Sequence, residues 1–278
     1  MKLLVCTDLD RTLIPNGAAP ESPDARKWFG RLVKIPGIAL AYVTGRDLAL
    51  VTGAIKEYRL PVPDFVLADV GASIYVAREG SWQQWRAWQQ HIAPDWKGLS
   101  GRDLAVLLDG ISTIELQEKN KQGTFKLSYY APLDTQPREL LREIEAVFAR
   151  HNIKVDLVWS IDEPAGVGLL DILPARAGKK NAVEFVMASN GYGLDSTIFC
   201  GDSGNDLPVF AGPVASVVVN NASNEVKAEA RKNAARNNTT DSLYLATGGF
   251  RGMNGNYAAG ILEGVCFFHQ EINALLEL

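Results

Sequence analysis

Short, uninterrupted apolar runs alternate with amphipathic stretches over the first eighty residues, give way to a different pattern in the middle, and resume near the end. Leu3 to Asp8 reads as a buried strand. Ser22-Pro23-Asp24 then opens a helix with Ser22 as N-cap and Pro23 in the first turn, and Phe29, Leu32 and Val33 form its apolar face. Ile38 to Val43 is a second strand, residues 46 to 58 a helix, and Phe65 to Ala68 a third strand. Continuous apolar strands separated by amphipathic helices predict a parallel sheet covered on both faces.

After Gly80 the pattern shifts. Trp82, Trp85, Trp88 and Trp96 crowd one segment, with the last three near helical spacing, which predicts packing inside a lid. Thr124 to Tyr130 alternates like a half-exposed strand, Arg138 to Arg150 has helical periodicity, and Val155 to Ser160 and Val167 to Leu173 read as two more strands. Strands without a helix between each pair predict an antiparallel sheet, hence a second α+β unit. From Lys179 the alternation returns: helix Asn181 to Ser189, strands Ser196 to Cys200 and Val214 to Val219, helix Ala222 to Ala234, and a long last helix from Tyr257 to Leu276. The expected architecture is α/β: a doubly wound, Rossmann-like parallel-sheet core from residues 1–80 and 174–278, with an α+β cap of residues 81–173 inserted into it.

Composition narrows the partners. The 278 residues carry a formal net charge of −4 and no dense Lys/Arg block, so nucleic acid and anionic membrane are not expected partners. No run approaches the roughly 20 apolar residues that span a bilayer, and no secretory signal follows Met1, so a cytoplasmic location is expected. Cys6, Cys200 and Cys266 are too widely spaced for a zinc site and are expected to be free thiols.

The candidate chemistry lies at predicted strand ends. Asp8 and Asp10 terminate the first strand, and while the chain stays extended they point to one side. Two neighbouring carboxylates repel, so a cation joins them or one keeps a proton. Thr44-Gly45-Arg46 follows the second strand, offering a hydroxyl, a close backbone approach and a helix start. Gly201-Asp202-Ser203-Gly204-Asn205-Asp206 follows a later strand with oxygen ligands suited to Mg²⁺. Lys179 precedes a helix. Taken singly, each also fits a solvated turn, an Asx-turn or a surface lysine. Thr12 at the fifth position of the first loop excludes an EF-hand.

Together, in this order, the four signatures resemble those of the haloacid-dehalogenase-like phosphatase superfamily, across essentially the whole chain. The stretch between Asp10 and Thr44 is too short to house a lid, whereas that between Arg46 and Lys179 is long enough. This arrangement resembles the sugar-phosphatase branch. The resemblance implies Asp8 as nucleophile and Asp10 as general acid and base, with Thr44, Gly45 and Lys179 on the phosphate. It further implies Mg²⁺ held by Asp8, the backbone carbonyl of Asp10, and Asp202, with Asp206 on metal-bound water and Asn205 orienting the loop. Lys180 competes for the lysine role.

Phe125 to Tyr129, Leu170 to Pro174, Lys179 to Ala182 and Ala259 to Glu263 resemble sucrose-phosphate phosphatases in particular. That similarity implies sugar contacts from Lys126 and Asp171, with Arg46 and Asn205 as further candidate substrate ligands. It also implies sucrose 6-phosphate as substrate and the synthase that makes it as a partner. Phosphatases for mannosylfructose-phosphate, glucosylglycerol-phosphate or hexose phosphates remain open, as does, in another class, a non-catalytic phospho-acceptor or binding module. Lid tryptophans stacking on a pyranose, and Arg251 or Asn254 reaching substrate from the Gly-rich loop Thr247 to Asn256, are further candidates. The polar segment Ile111 to Gly123 departs from the family pattern, and nothing resembles the extra C-terminal domain of plant sucrose phosphatases.

Overall fold

The computed structural model describes residues 2–162 and 165–277. β1 (Leu3–Thr7), β2 (Ile38–Val43), β3 (Phe65–Ala68), β4 (Ser73–Arg78) and β5 (Ser81–Gln84) come first. β6 (Glu115–Leu116), β7 (Leu127–Ala131), β8 (Val155–Asp162) and β9 (Val167–Pro174) follow, then β10 (Thr197–Gly201), β11 (Ala215–Val218) and β12 (Leu243–Leu245). One sheet has eight strands in the order β12-β11-β10-β1-β2-β3-β4-β5, and the other four in the order β6-β7-β9-β8.

In the large sheet, β12 through β3 are parallel and β4 and β5 continue it antiparallel. Every residue of β1 is buried, as a strand covered on both faces requires. Two apolar clusters flank the sheet. One packs Phe29, Tyr42, Ile198 and Leu262 together, and the other Leu4, Val43, Phe199 and Val186. From β1 the chain runs outwards to β2 and β3, and it later returns on the other side of β1 as β10, β11 and β12. β1 is therefore the switch point, where parallel sheets open a crevice at their carboxyl edge. The four-stranded sheet is antiparallel and has its own core around Trp96, Tyr129, Phe148 and Ile172.

Several expectations change. Residue 80 falls inside the β4–β5 hairpin, so Ser81–Gln84 extends the large sheet. The adjoining helix Arg86–Ile92 packs there too. Trp88 is buried against Phe185, and Trp85 stacks on Phe65, so these rings do not fill the second unit; Trp96 does. Ser22 does not cap its helix: Asp24 occupies the N-cap in left-handed backbone, while the Ser22 hydroxyl accepts the Asn254 N–H at 2.9 Å. The last helix is two, Ala258–Phe268 and Gln270–Leu275, broken at His269. The three cysteines are free and buried, and burial pushes their thiols up, to about 11 for Cys266. Among the described residues, no helix is long and apolar enough to cross a membrane.

Candidate active site

Three carboxylates converge where β1 and β10 end. Asp8 follows Thr7 and stays in register with its neighbour by donating its N–H to Cys200 O at 2.9 Å. Asp202 follows Gly201, the last residue of β10. Asp8, Asp202 and Asp206 each place an oxygen within 4.8 Å of the others, and all three are buried. Gly201 is required by this packing, since a Cβ there would lie 2.5 Å from the Asp206 carboxylate. Asp206 fixes the loop: its Oδ2 accepts the N–H groups of Asp202 and Ser203, both at 3.0 Å.

Lys179 enters from the first turn of the helix Lys179–Asn190. Its ammonium lies 2.7 Å from Asp206 Oδ1 and 3.0 Å from Asp8 Oδ2. Burial alone would lower its pKa, but the two carboxylates reverse this and keep it charged. Lys180 is half-buried and pairs only weakly with Glu184, away from the acids, so Lys179 is the lysine at the site. Asp8 is pushed up to about 8 by burial and by Asp206, Asp202 and Asp10, with Lys179 opposing. Asp202 is pushed up to about 6 by burial and Asp206, against Thr12, Arg11 and Lys179. Burial thus favours protonated acids here unless more positive charge arrives. An all-oxygen donor set with surplus negative charge fits a hard divalent cation.

Asp10 lies outside this trio. Arg46 grips its carboxylate with two bonds, 2.8 Å from Nε and 2.6 Å from Nη2, and Asn16 donates a third at 2.7 Å. Burial would raise the Asp10 pKa, but Arg46 outweighs it and holds the carboxyl below its usual range. Arg46, anticipated as a substrate ligand, is thus a partner of the expected acid. Thr44 is fully buried, its hydroxyl accepting the Arg46 N–H at 3.2 Å. Gly45 lines the cleft beside it.

The cleft, about 560 Å³, opens between the two sheets. The large-sheet side contributes Asp8, Asp10, Gly45, Arg46 and Asn205, and the four-stranded side Lys126 and Asp171. Asn205 accepts a bond from Ser203 at 3.0 Å. Lys126 reaches back to Gly45 O at 3.4 Å and sits 3.9 Å from Asp171, which also accepts the Ser128 hydroxyl. Among the described residues no aromatic ring lines the cleft, so no tryptophan is placed to stack on a pyranose there. Arg251 and Asn254 are elsewhere: Arg251 bonds Asn273, and Asn254 ties down Pro20.

Sequence reasoning missed Thr12, Asn16 and Asp69. Thr12 donates to Asp202 Oδ1 at 2.8 Å, joining the first and last signatures. Its signal was present, a hydroxyl inside the first motif. Asn16 had only a Pro-Asn-Gly turn to mark it, and Asp69 had none.

A parallel sheet with a crevice at its switch point, three acids and a buried lysine there, and an inserted second sheet across the opening define a haloacid-dehalogenase-like hydrolase. The profile of the sucrose-6F-phosphate phosphohydrolase family matches residues 1–269, and the chain belongs to that family. It is a phosphoric monoester hydrolase acting on sugar phosphates. A putative HAD-like hydrolase of Nitrosococcus oceani is 45% identical over 99% of this chain and 74% of its own length. A mannosylfructose-phosphate phosphatase of Agrobacterium fabrum is 28% identical over 79% of this chain and 83% of its own. The crystal structure of the sucrose-phosphatase from Synechocystis sp., in complex with sucrose and phosphate, superposes with a TM-score of 0.75 at 25% identity. That match covers 97% of this chain and 99% of the other.

Proposed function

We propose that this chain hydrolyses sucrose 6-phosphate to sucrose and phosphate, with Mg²⁺, through a phosphorylated Asp8. The observation that carries this reading is the Asp8–Lys179–Asp206 cluster: a buried carboxylate at a strand end, held in one orientation beside a buried cation. Leu9 N–H donates to Asp8 Oδ1 at 2.7 Å, and Lys179 to Oδ2, so the nucleophile loses no freedom on binding substrate. Asp8, Asp202 and Asp206 are the carboxylates that would hold the metal. When bound, it supplies positive charge that keeps Asp8 ionised and draws electrons from the phosphoryl oxygens.

Asp8 attacks phosphorus as the sugar oxygen departs, taking a proton from Asp10. Water then attacks the phosphoryl group, returns a proton to Asp10 and frees Asp8. Lys179, and Thr44 with the Gly45 backbone, meet the phosphoryl oxygens. Asp10 can carry a proton near neutral pH only after leaving Arg46, so that pair must open during turnover. Lys126, Asp171, Arg46 and Asn205 are assigned to the sugar side of the cleft, and residues inserted into the core serve as its cap.

Phosphate release from sucrose 6-phosphate, with and without chelator, tests the reading. Turnover that survives metal removal, or equal kcat/KM on sucrose 6-phosphate and glucose 6-phosphate, would overturn it. The similarity to a mannosylfructose-phosphate phosphatase, spread over most of both chains, favours that ester as the second reading. Glucosylglycerol phosphate completes the panel. A glycosyltransferase that leaves the phosphate in place must supply such a substrate. That synthase is the partner we expect, and co-elution with it is the check.

A further inference from the structure

β3 ends at Ala68, and the next three residues all take left-handed backbone: Asp69 at φ 54°, Val70 at 58° and Gly71 at 88°. Side chains rarely accept this, and a β-branched valine least of all. Strain of this kind persists only where surrounding contacts enforce it, and it concentrates at functional sites. Here it lets two successive amides bond the neighbouring loop. Asp69 N–H donates to Arg46 O at 3.0 Å and Val70 N–H to Thr44 O at 2.9 Å. Gly71 lies against the Gly178 peptide, leaving no room for a Cβ. These contacts explain the turn, but none asks for an acid at position 69, since asparagine takes the same backbone.

Yet Asp69 is only 9% exposed and lines the cleft. Burial raises its pKa, and Lys126 is the largest opposing influence. Lys126 is itself only 6% exposed, with three donors served by one long bond at 3.4 Å and an ion pair at 3.9 Å. A buried ammonium so loosely held, between Asp69 on one wall and Asp171 on the other, suits alternating donors and acceptors. Vicinal hydroxyls supply both.

We propose that Asp69 is a specificity-determining residue: with Lys126 and Asp171 it binds hydroxyls of the sugar whose phosphate lies beside the Thr44–Arg46 loop, selecting polyhydroxylated esters over simple ones. This rests on the sugar-phosphate reading of the cleft. The test compares Asp69→Asn with wild type on the preferred sugar phosphate and on p-nitrophenyl phosphate, with thermal melting as the folding check. We expect kcat/KM to fall about tenfold to hundredfold on the sugar phosphate and to stay within about twofold on p-nitrophenyl phosphate. Equal losses on both, the mark of a mere clasp between the two units, would overturn it, as would no loss on either. A wild type that does not prefer sugar esters defeats the substrate reading first. A selective wild type with an unaltered Asp69→Asn defeats this inference alone.

Discussion

The two walls of the cleft are built differently. On the large-sheet wall, Asp8, Lys179 and Asp206 are buried almost completely and bonded at 2.7–3.0 Å, each side chain fixed by another. On the other wall, Lys126 is held at 3.4 and 3.9 Å, and Ile161, which also lines the cleft, is half exposed. The first arrangement suits chemistry, where groups must be in place before the reaction. The second suits recognition, where polar groups remain available for a ligand. On the proposed reading, the comparison teaches that a phosphoryl group is met by a rigid cluster and its sugar by one still able to adjust.

The strongest way to break the contrast is Asp8→Asn. It removes the proposed nucleophile while conserving shape, so turnover should fall by about four orders of magnitude or more with the fold retained; phosphate release and circular dichroism check both. Lys179→Met comes next, leaving Asp8 and Asp206 facing each other unneutralised. Activity should drop about a thousandfold and stability by about 3 kcal/mol in urea titrations at pH 8. The stability loss should shrink at pH 5, where Asp8 holds a proton with or without the lysine.

Metal should sharpen the contrast through pH. In the metal-free fold the raised pKa values of Asp8 and Asp202, about 8 and about 6, mean that bound protons stabilise the fold. That stability is complete below the unfolded carboxylate range and is lost as pH rises through about 6 and then 8. Saturating Mg²⁺ should therefore raise the melting temperature by about 5 °C or more at pH 8 and much less at pH 5, where it must displace protons. A shift independent of pH would sink the assignment of these carboxylates. The smallest effect belongs to Arg46→Ala. Asp10, held below its usual range, contributes stability above the unfolded pKa that disappears as pH falls. The pair is partly exposed, so the variant should lose under about 1 kcal/mol at pH 7, and progressively less as pH falls below the usual carboxylate range.

How legible each part was follows from its physics. β1 and β10 declare themselves because strands buried on both faces are written as continuous apolar runs, and the acids ending them are the ones that converge. The β4–β5 hairpin escapes because its edge strand, Ser81–Gln84, has Trp82 as its one apolar residue and so shows no run that would tie it to the large sheet. The break at His269 escapes because apolar residues continue past it, with no Gly or Pro to mark the end. Asp10 was legible as an acid in the motif, but its bidentate hold by Arg46 comes from two loops meeting in space. Asp69 shows the same limit, since φ at a single residue leaves no trace in its neighbours.

The position of β1 between β2 and β10 has a consequence for biosynthesis. Asp8 is translated well before Lys179, Asp202 and Asp206, which emerge only after the whole four-stranded insert. During elongation the nascent chain exposes an unpaired strand edge, to be closed when β10 leaves the ribosome. Competence thus arrives late and all at once, so polypeptides stalled before Asp206 should be inert however well their first half has folded.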